Sequence, residues 1–322
     1  MAHVIALCGG VGGAKLAFGL TRVLAPDDLT LVVNTGDDFE HLGLAISPDI
    51  DTVAYTLSEL ADRERGWGLA GETWAFMSAL RALGGEDWFQ LGDKDLATHV
   101  ERTRRLAAGE SLSAITAHLT RQLGLRHAIV PMSDQPVRTW VDTADGPLAF
   151  QRYFVGERCA PVVQAVRFEG ASEARPSAAF AAALARPDLA AILICPSNPY
   201  LSIDPILAIP GVRDAIRRAA APCVAVSPIV GGQAIKGPTA KLMTELGLTP
   251  GVAAVAAHYA GLADGLILDD ADAGEAGEVE RRGIAAHVTA TVMRTDDDRT
   301  ALARDTLAFA ASLRAPMAAR VG

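Results

Sequence analysis

The chain has no cluster of lysine and arginine large enough to track a phosphate backbone, and its formal charge over 322 residues is −9. Nucleic-acid binders carry a basic footprint, so that class is excluded. No run of ~18 apolar residues goes uninterrupted by polar or charged ones, which leaves no candidate membrane span. Cysteine is scarce. Cys8, Cys159, Cys195 and Cys223 lie far apart, form no C-x-x-C, and three of them sit in apolar strand-like runs, a pattern that fits reduced core thiols. No basic segment precedes an apolar one at the start of the sequence, and the first apolar run is broken by glycines after Cys8. It reads as a first strand and not as a secretion signal, and the expected location is the cytoplasm.

Half of the residues are hydrophobic and 21% are charged, enough for one large α/β domain with a substantial interior. Short valine-, isoleucine- and leucine-rich runs alternate with segments of helical period. The expected strands are His3–Cys8, Leu29–Asn34, His127–Pro131, Ala190–Cys195, Cys223–Ser227, Gly265–Leu268 and Ala285–Val288. Continuous apolar strands separated by helices imply a parallel sheet covered on both faces, that is, a Rossmann-like, doubly wound α/β fold. Helices are expected at Ala14–Leu24, Asp49–Leu60, Pro176–Ala185, Gly211–Ala220, Thr239–Leu246 and Asp297–Leu313. Two regions break the alternation: residues 60–125 carry only helix-like segments, and Val137–Val155 reads as two strands joined at Asp145-Gly146. The expectation is a single α/β domain over residues 1–322, with an insertion at about 60–125 and 137–170.

Chemistry concentrates where strands end. Gly9-Gly10-Val11-Gly12-Gly13-Ala14-Lys15 places four glycines within five residues between the first strand and a helix. Backbone N–H groups there can converge on an anion at a helix N-terminus. The stretch matches neither the dinucleotide fingerprint, whose third glycine would fall on Lys15, nor the P-loop, which needs Gly-Lys adjacent. The second strand runs into Asn34-Thr35-Gly36-Asp37-Asp38, adjacent carboxylates suited to a divalent ion or a ribose hydroxyl. In "SPDIDT", Asp49 and Asp51 face one side if extended, or cap a helix if they open one. "LGDKDLATH" sets Asp93, Lys94 and Asp95 ahead of a helix bearing His99, where capping is the simpler reading. "CPSNP" is expected to turn the Ser197 hydroxyl and Asn198 amide outward from a strand end. "SPIVGGQAIKGP" repeats that logic with Ser227, Gly231, Gly232 and Lys236, the last able to neutralise a phosphate.

Taken together, "GGVGGAK", "NTGDD", "SPDIDT", "GWGLAGETW", "LGDKDLATH", "PMSDQPV", "PSNPYLSIDPIL" and "SPIVGGQAIKGP" resemble, in that order and over nearly the whole chain, the 2-phospho-L-lactate transferase family of coenzyme F-420 biosynthesis. The resemblance implies transfer of a phosphorylated three-carbon acid from a guanosine diphosphate ester to the deazaflavin Fo, with release of GMP and dependence on Mg²⁺. It puts the guanosine diphosphate on Gly9, Gly10, Val11, Gly12, Gly13, Lys15, Ser197, Asn198, Ser227, Gly231, Gly232 and Lys236. Asp49, Asp51 and Lys94 would lie on the Fo side, formed by the insertion, with Asp37 and Asp51 as metal ligands and catalytic residues. A homodimer is implied. Gly12-Gly13-Ala14 and Thr239 depart from the usual family pattern, and the acid carried by the donor stays open among lactyl, enolpyruvyl and glyceryl forms. The alternatives are a non-catalytic nucleotide-sugar-binding regulator of the gluconeogenesis-factor type, which would not need the "GWGLAGETW" and "LGDKDLATH" segments, and an NAD(P)-dependent dehydrogenase. The missing third glycine counts against the latter.

Overall fold

The computed structural model describes residues 2–235 and 237–318, with side chains as far as Arg314. Seven strands form the central sheet: β1 (His3–Cys8), β2 (Leu29–Val33), β3 (Ala128–Pro131), β4 (Leu189–Ile194), β5 (Cys223–Val226), β6 (Gly265–Leu268) and β7 (Ala285–Val288). Their spatial order is β7-β6-β5-β4-β1-β2-β3, and every adjacent pair is parallel. Alternation along a strand divides the side chains between two cores. In β1, Ile5 and Leu7 pack into one hydrophobic cluster while Val4, Ala6 and Cys8 pack into the other. That is why these strands are apolar on both faces, with His3 and Thr30 as buried exceptions, and not at every second position. Chain order reverses between β1 and β4, so the crevice beyond their carboxyl ends is the topological switch point where such sheets bind ligands.

Five helices lie in the first half of the chain: α1 (Gly10–Val23), α2 (Pro48–Leu57), α3 (Ala75–Ala82), α4 (Asp93–Ala107) and α5 (Leu112–Gln122). The final helix, Asp296–Ala318, packs on α1. Gly19 permits this contact, since a Cβ there would run into the Arg299 carbonyl.

Two expectations need correction. Helix α1 begins at Gly10, four residues ahead of Ala14, so Gly10, Gly12 and Gly13 lie within its first turns and do not form a free loop. The expected hairpin is present as Arg138–Thr143 and Gly146–Ala149, but Val163–Glu169 adds a third antiparallel strand on Arg138–Thr143. That strand has little apolar signal, because only Val163 in it is fully buried. Residues 60–125 carry three helices, α3, α4 and α5, joined by turns and irregular chain, with one isolated bridge between Ala61 and Leu69. Among the described residues no helix is long and apolar enough to cross a membrane.

Candidate functional site at the sheet switch point

The glycine-rich turn is built against the end of β4. Gly9 N–H donates to Ser197 Oγ (3.1 Å), and the same hydroxyl donates back to the Gly9 carbonyl (2.8 Å). A Cβ on Gly12 would collide with the Pro196 carbonyl, and one on Gly13 would lie 2.5 Å from Ser197 Oγ. These two glycines let α1 start in contact with the neighbouring strand end. Gly10 differs: its φ is +63° and a Cβ would meet nothing within 4 Å. It needs glycine for backbone conformation and faces open space. The hydroxyl and amide expected to point outward are turned inward. Ser197 is spent on Gly9, while Asn198 Oδ1 accepts from Tyr200 N and Leu201 N and its buried Nδ2 has no partner. Ser227 closes a local turn on Ile229.

A buried acidic group sits beside this turn. Asp49 Oδ1 accepts from Gly10 N (2.6 Å), and its Oδ2 accepts from Asn34 Nδ2 (2.9 Å). Asn34 Nδ2 also lies 3.3 Å from Asp37 Oδ1, and Gln151 Nε2 donates to Asp37 Oδ2 (3.2 Å). Ser47 donates to Asp38 Oδ2, and Asp38 Oδ1 is buried without a partner. Desolvation, joined at Asp37 by repulsion from its neighbours, raises the pKa of these carboxyls. Burial, then the charges of Asp49 and Asp38, push the Asp37 carboxyl far up; burial raises Asp38 to about 7 and Asp49 to about 6. Asp49 is thus hydrogen-bonded into the glycine turn.

Asp51 goes elsewhere. Pro48 opens α2 and puts Asp49 and Asp51 in its first turn, so two residues of helix rotate them onto different faces. Asp51 forms a buried ion pair with Arg102 of α4 and lies 3.7 Å from His99 Nδ1. His99 Nε2 is 3.2 Å from Asp95 Oδ2, and Tyr55 donates to Asp95 Oδ1 (2.6 Å). Burial raises Asp51, against the pull of Arg102 and His99, while Arg102, though desolvated, is held charged by Asp51. Burial also opposes charge on Asp95, but bonds from His99 and Tyr55 outweigh it and hold that carboxyl below its usual range. Asp51, Asp95 and His99 each offer a ligand atom within 4.8 Å of the others. The expected metal ligands Asp37 and Asp51 thus sit in separate networks. Arg102 and Gln151 were not foreseen as site residues, while Asn34 and Asp38 were expected only as part of an acidic strand end and His99 only as part of a capped helix. The spacing Asp95, His99, Arg102 on one helix face was the available signal.

The remaining candidates are placed as follows. Lys94 is exposed and donates to the Ala70 carbonyl (2.9 Å), while its own N–H and that of Asp95 are capped by Glu72. Lys15 donates to the Met293 carbonyl (2.8 Å). Gly231 and Gly232 take left-handed φ values of 58° and 73°, and Gly231 N–H is held by Asp272. Lys236 lies outside the described residues. Two adjoining cavities open along α2. One of about 150 Å³ includes Val11, Lys15, Arg63 and Arg299 in its wall, and one of about 80 Å³ includes Asp51, His99 and Phe89. They share Thr52, Tyr55, Trp67 and Gly68.

Comparison with known proteins agrees with this architecture. The family described as 2-phospho-L-lactate transferase CofD matches residues 4–307. A phosphoenolpyruvate transferase of Streptomyces griseus is 41% identical over 321 residues, 97% of this chain and 100% of that protein. A 2-phospho-L-lactate transferase of Methanosarcina mazei is 38% identical over 300 residues, 93% of this chain and 98% of that protein. A crystal structure of a UPF0052 family member from Bacillus halodurans superposes with a TM-score of 0.61 at 14% identity, covering 95% of this chain and 98% of that one, a likeness of fold. The chain is a transferase and belongs to the 2-phospho-L-lactate transferase family.

Proposed function

We propose that the protein moves a phosphorylated three-carbon acid from a guanosine diphosphate ester to the ribityl hydroxyl of the deazaflavin Fo, releasing GMP, in coenzyme F-420 biosynthesis. The observation that carries the reading is the contact between Asp49 and Gly10. It joins the open backbone at a helix N-terminus to a buried set of carboxylates. Relatives named for phosphoenolpyruvate and 2-phospho-L-lactate transfer support the substrate class. Gly10, with its open αL backbone, and Val11 would face the diphosphate. Tyr55, Trp67 and Phe89 border the smaller cavity and offer aromatic faces on which a flat ring could stack from its open side, which supports an acceptor on the insertion side.

The chemistry asks mainly for positioning and charge neutralisation. The ribityl oxygen forms a bond to the distal phosphorus, the bond from that phosphorus to the GMP oxygen breaks, and the hydroxyl proton is lost to solvent or a nearby carboxylate. Two sets would suit Mg²⁺. Asp37 and Asp49 are hard oxygen donors joined through Asn34 beside the glycine turn. Asp51, Asp95 and His99 have ligand atoms that converge within 4.8 Å, though Arg102 already partly neutralises Asp51. Bound at the first set, Mg²⁺ would supply charge neutralisation of the diphosphate. Asn34 orients Asp37 and Asp49 together, and Gln151 fixes the other Asp37 oxygen. Calorimetry tests the reading: GDP is expected to bind without Fo, and binding of NAD with no binding of guanine nucleotide would overturn it.

A further inference from the structure

We propose that the cavity of about 150 Å³ between α1, α2 and the start of the final helix is an anion subsite for the carboxylate of the three-carbon acid carried by the donor. This inference rests on the transferase reading and names which part of the donor lies where. Lys15, Arg63, Arg294 and Arg299 all contribute to the wall. Such a concentration of cations stands out in a chain of net charge −9.

The acidic residues nearby do not cancel it. Asp296 is shared, lying 3.0 Å from Arg63 Nη2 and 3.1 Å from Arg299 Nη1, so one carboxylate serves two guanidinium groups. Glu59 and Asp62 in the wall are engaged by Arg22 and Arg65. Arg299 is the most telling member: it is only 7% exposed, and its buried Nε has no hydrogen-bond partner. Burial, with the charge of Arg63 and against the pull of Asp296, also lowers its pKa, as expected of a guanidinium short of counter-charge. An orphaned donor on a buried cation at a cavity wall is a costly arrangement unless an anion completes it.

Size and place choose the anion. The cavity is smaller than the ~300 Å³ at which sites for drug-sized ligands begin, and suits a three-carbon acid better than a nucleoside. Guanidinium forks match carboxylates in geometry. Val11 in its wall follows Gly10 directly, and the shared residues Thr52 and Trp67 join it to the smaller cavity. A donor whose diphosphate lies at Gly10 can therefore place its acid here, beside the acceptor.

The test compares binding of GDP with binding of its phospholactyl and enolpyruvyl esters by calorimetry, in wild type, Arg63→Gln and Arg294→Gln. Both residues are solvent-accessible enough for the variants to fold, which thermal melting checks; Arg299→Gln is a third, more severe variant. The wild type is expected to bind an ester at least roughly tenfold more tightly than GDP. That ratio should fall several-fold toward one in the variants, with GDP affinity unchanged. Equal ratios in wild type and variants overturn the subsite, as does a wild type that binds ester no better than GDP. Failure of the transferase reading is distinct: neither GDP nor ester would bind at all.

Discussion

Asp51 of α2 and Arg102 of α4 form a buried ion pair that ties the helical insertion to the Rossmann-like core. Asp51 Oδ2 is left without a hydrogen bond, and Arg102 also donates to the Ala45 carbonyl. Removing one partner strands the other charge in a dry environment, which typically costs about 3–5 kcal/mol. Arg102→Ala and Asp51→Asn are both expected to lower stability on that scale in chemical denaturation. An Asp51→Asn variant that melts like wild type but has lost turnover would return Asp51 to the role of a metal ligand.

The carboxylates at the glycine turn give a pH dependence of known sign. Asp38 at about 7 and Asp49 at about 6 both stand above the 3.8 of an ordinary aspartate. The folded chain holds protons there that the unfolded chain has released. Stability from this group is therefore lost as pH rises from about 4 to about 7. Asp38→Asn should flatten the fall in melting temperature between about pH 5 and pH 8, and added Mg²⁺ should raise it more at the higher pH. A parallel wild-type and variant profile would contradict this.

Gly10 and Gly12 separate two jobs that the sequence presents as one. Gly12→Ala drives a methyl into the Pro196 carbonyl and is expected to cost about 1–3 kcal/mol with GDP affinity retained in the folded fraction. Gly10→Ala meets no atom but must hold φ near +63°, at about 1–2 kcal/mol, and puts its methyl where the diphosphate is proposed. It should lose GDP affinity out of proportion to stability. Melting curves beside GDP titrations decide.

Trp67 borders both cavities and is 42% exposed. Stacking of a flat ring on an aromatic side chain is worth about 1–3 kcal/mol. Trp67→Ala should accordingly raise the KM for Fo roughly tenfold or more, and the donor KM by a smaller factor, since Trp67 also borders the larger cavity. An unchanged Fo KM would move the acceptor elsewhere.

What could be read in advance divides along the line between local and non-local information. β1 and β6 have the boundaries expected from their apolar runs, because burial on both faces writes itself into every residue, and half-buried β7 at the sheet edge also has its expected bounds. The third strand of the small sheet does not, being mostly exposed. The alternatives for Asp49 and Asp51 were stated, but only the helix opened at Pro48 decides that they diverge. Which partner each then finds depends on α4 packing against α2, a relation some fifty residues apart. The inward turn of Ser197 was hidden for the same reason, since its partner Gly9 is 188 residues away.

The most direct measurement incubates the purified protein with Fo, Mg²⁺ and, separately, the lactyl, enolpyruvyl and glyceryl guanosine diphosphate esters, and reads products by mass. The account predicts, with at least one ester, an Fo adduct heavier by the phospho-acid and an equal amount of GMP. Binding of the ester and Fo with neither adduct nor GMP in any of the three reactions would contradict it.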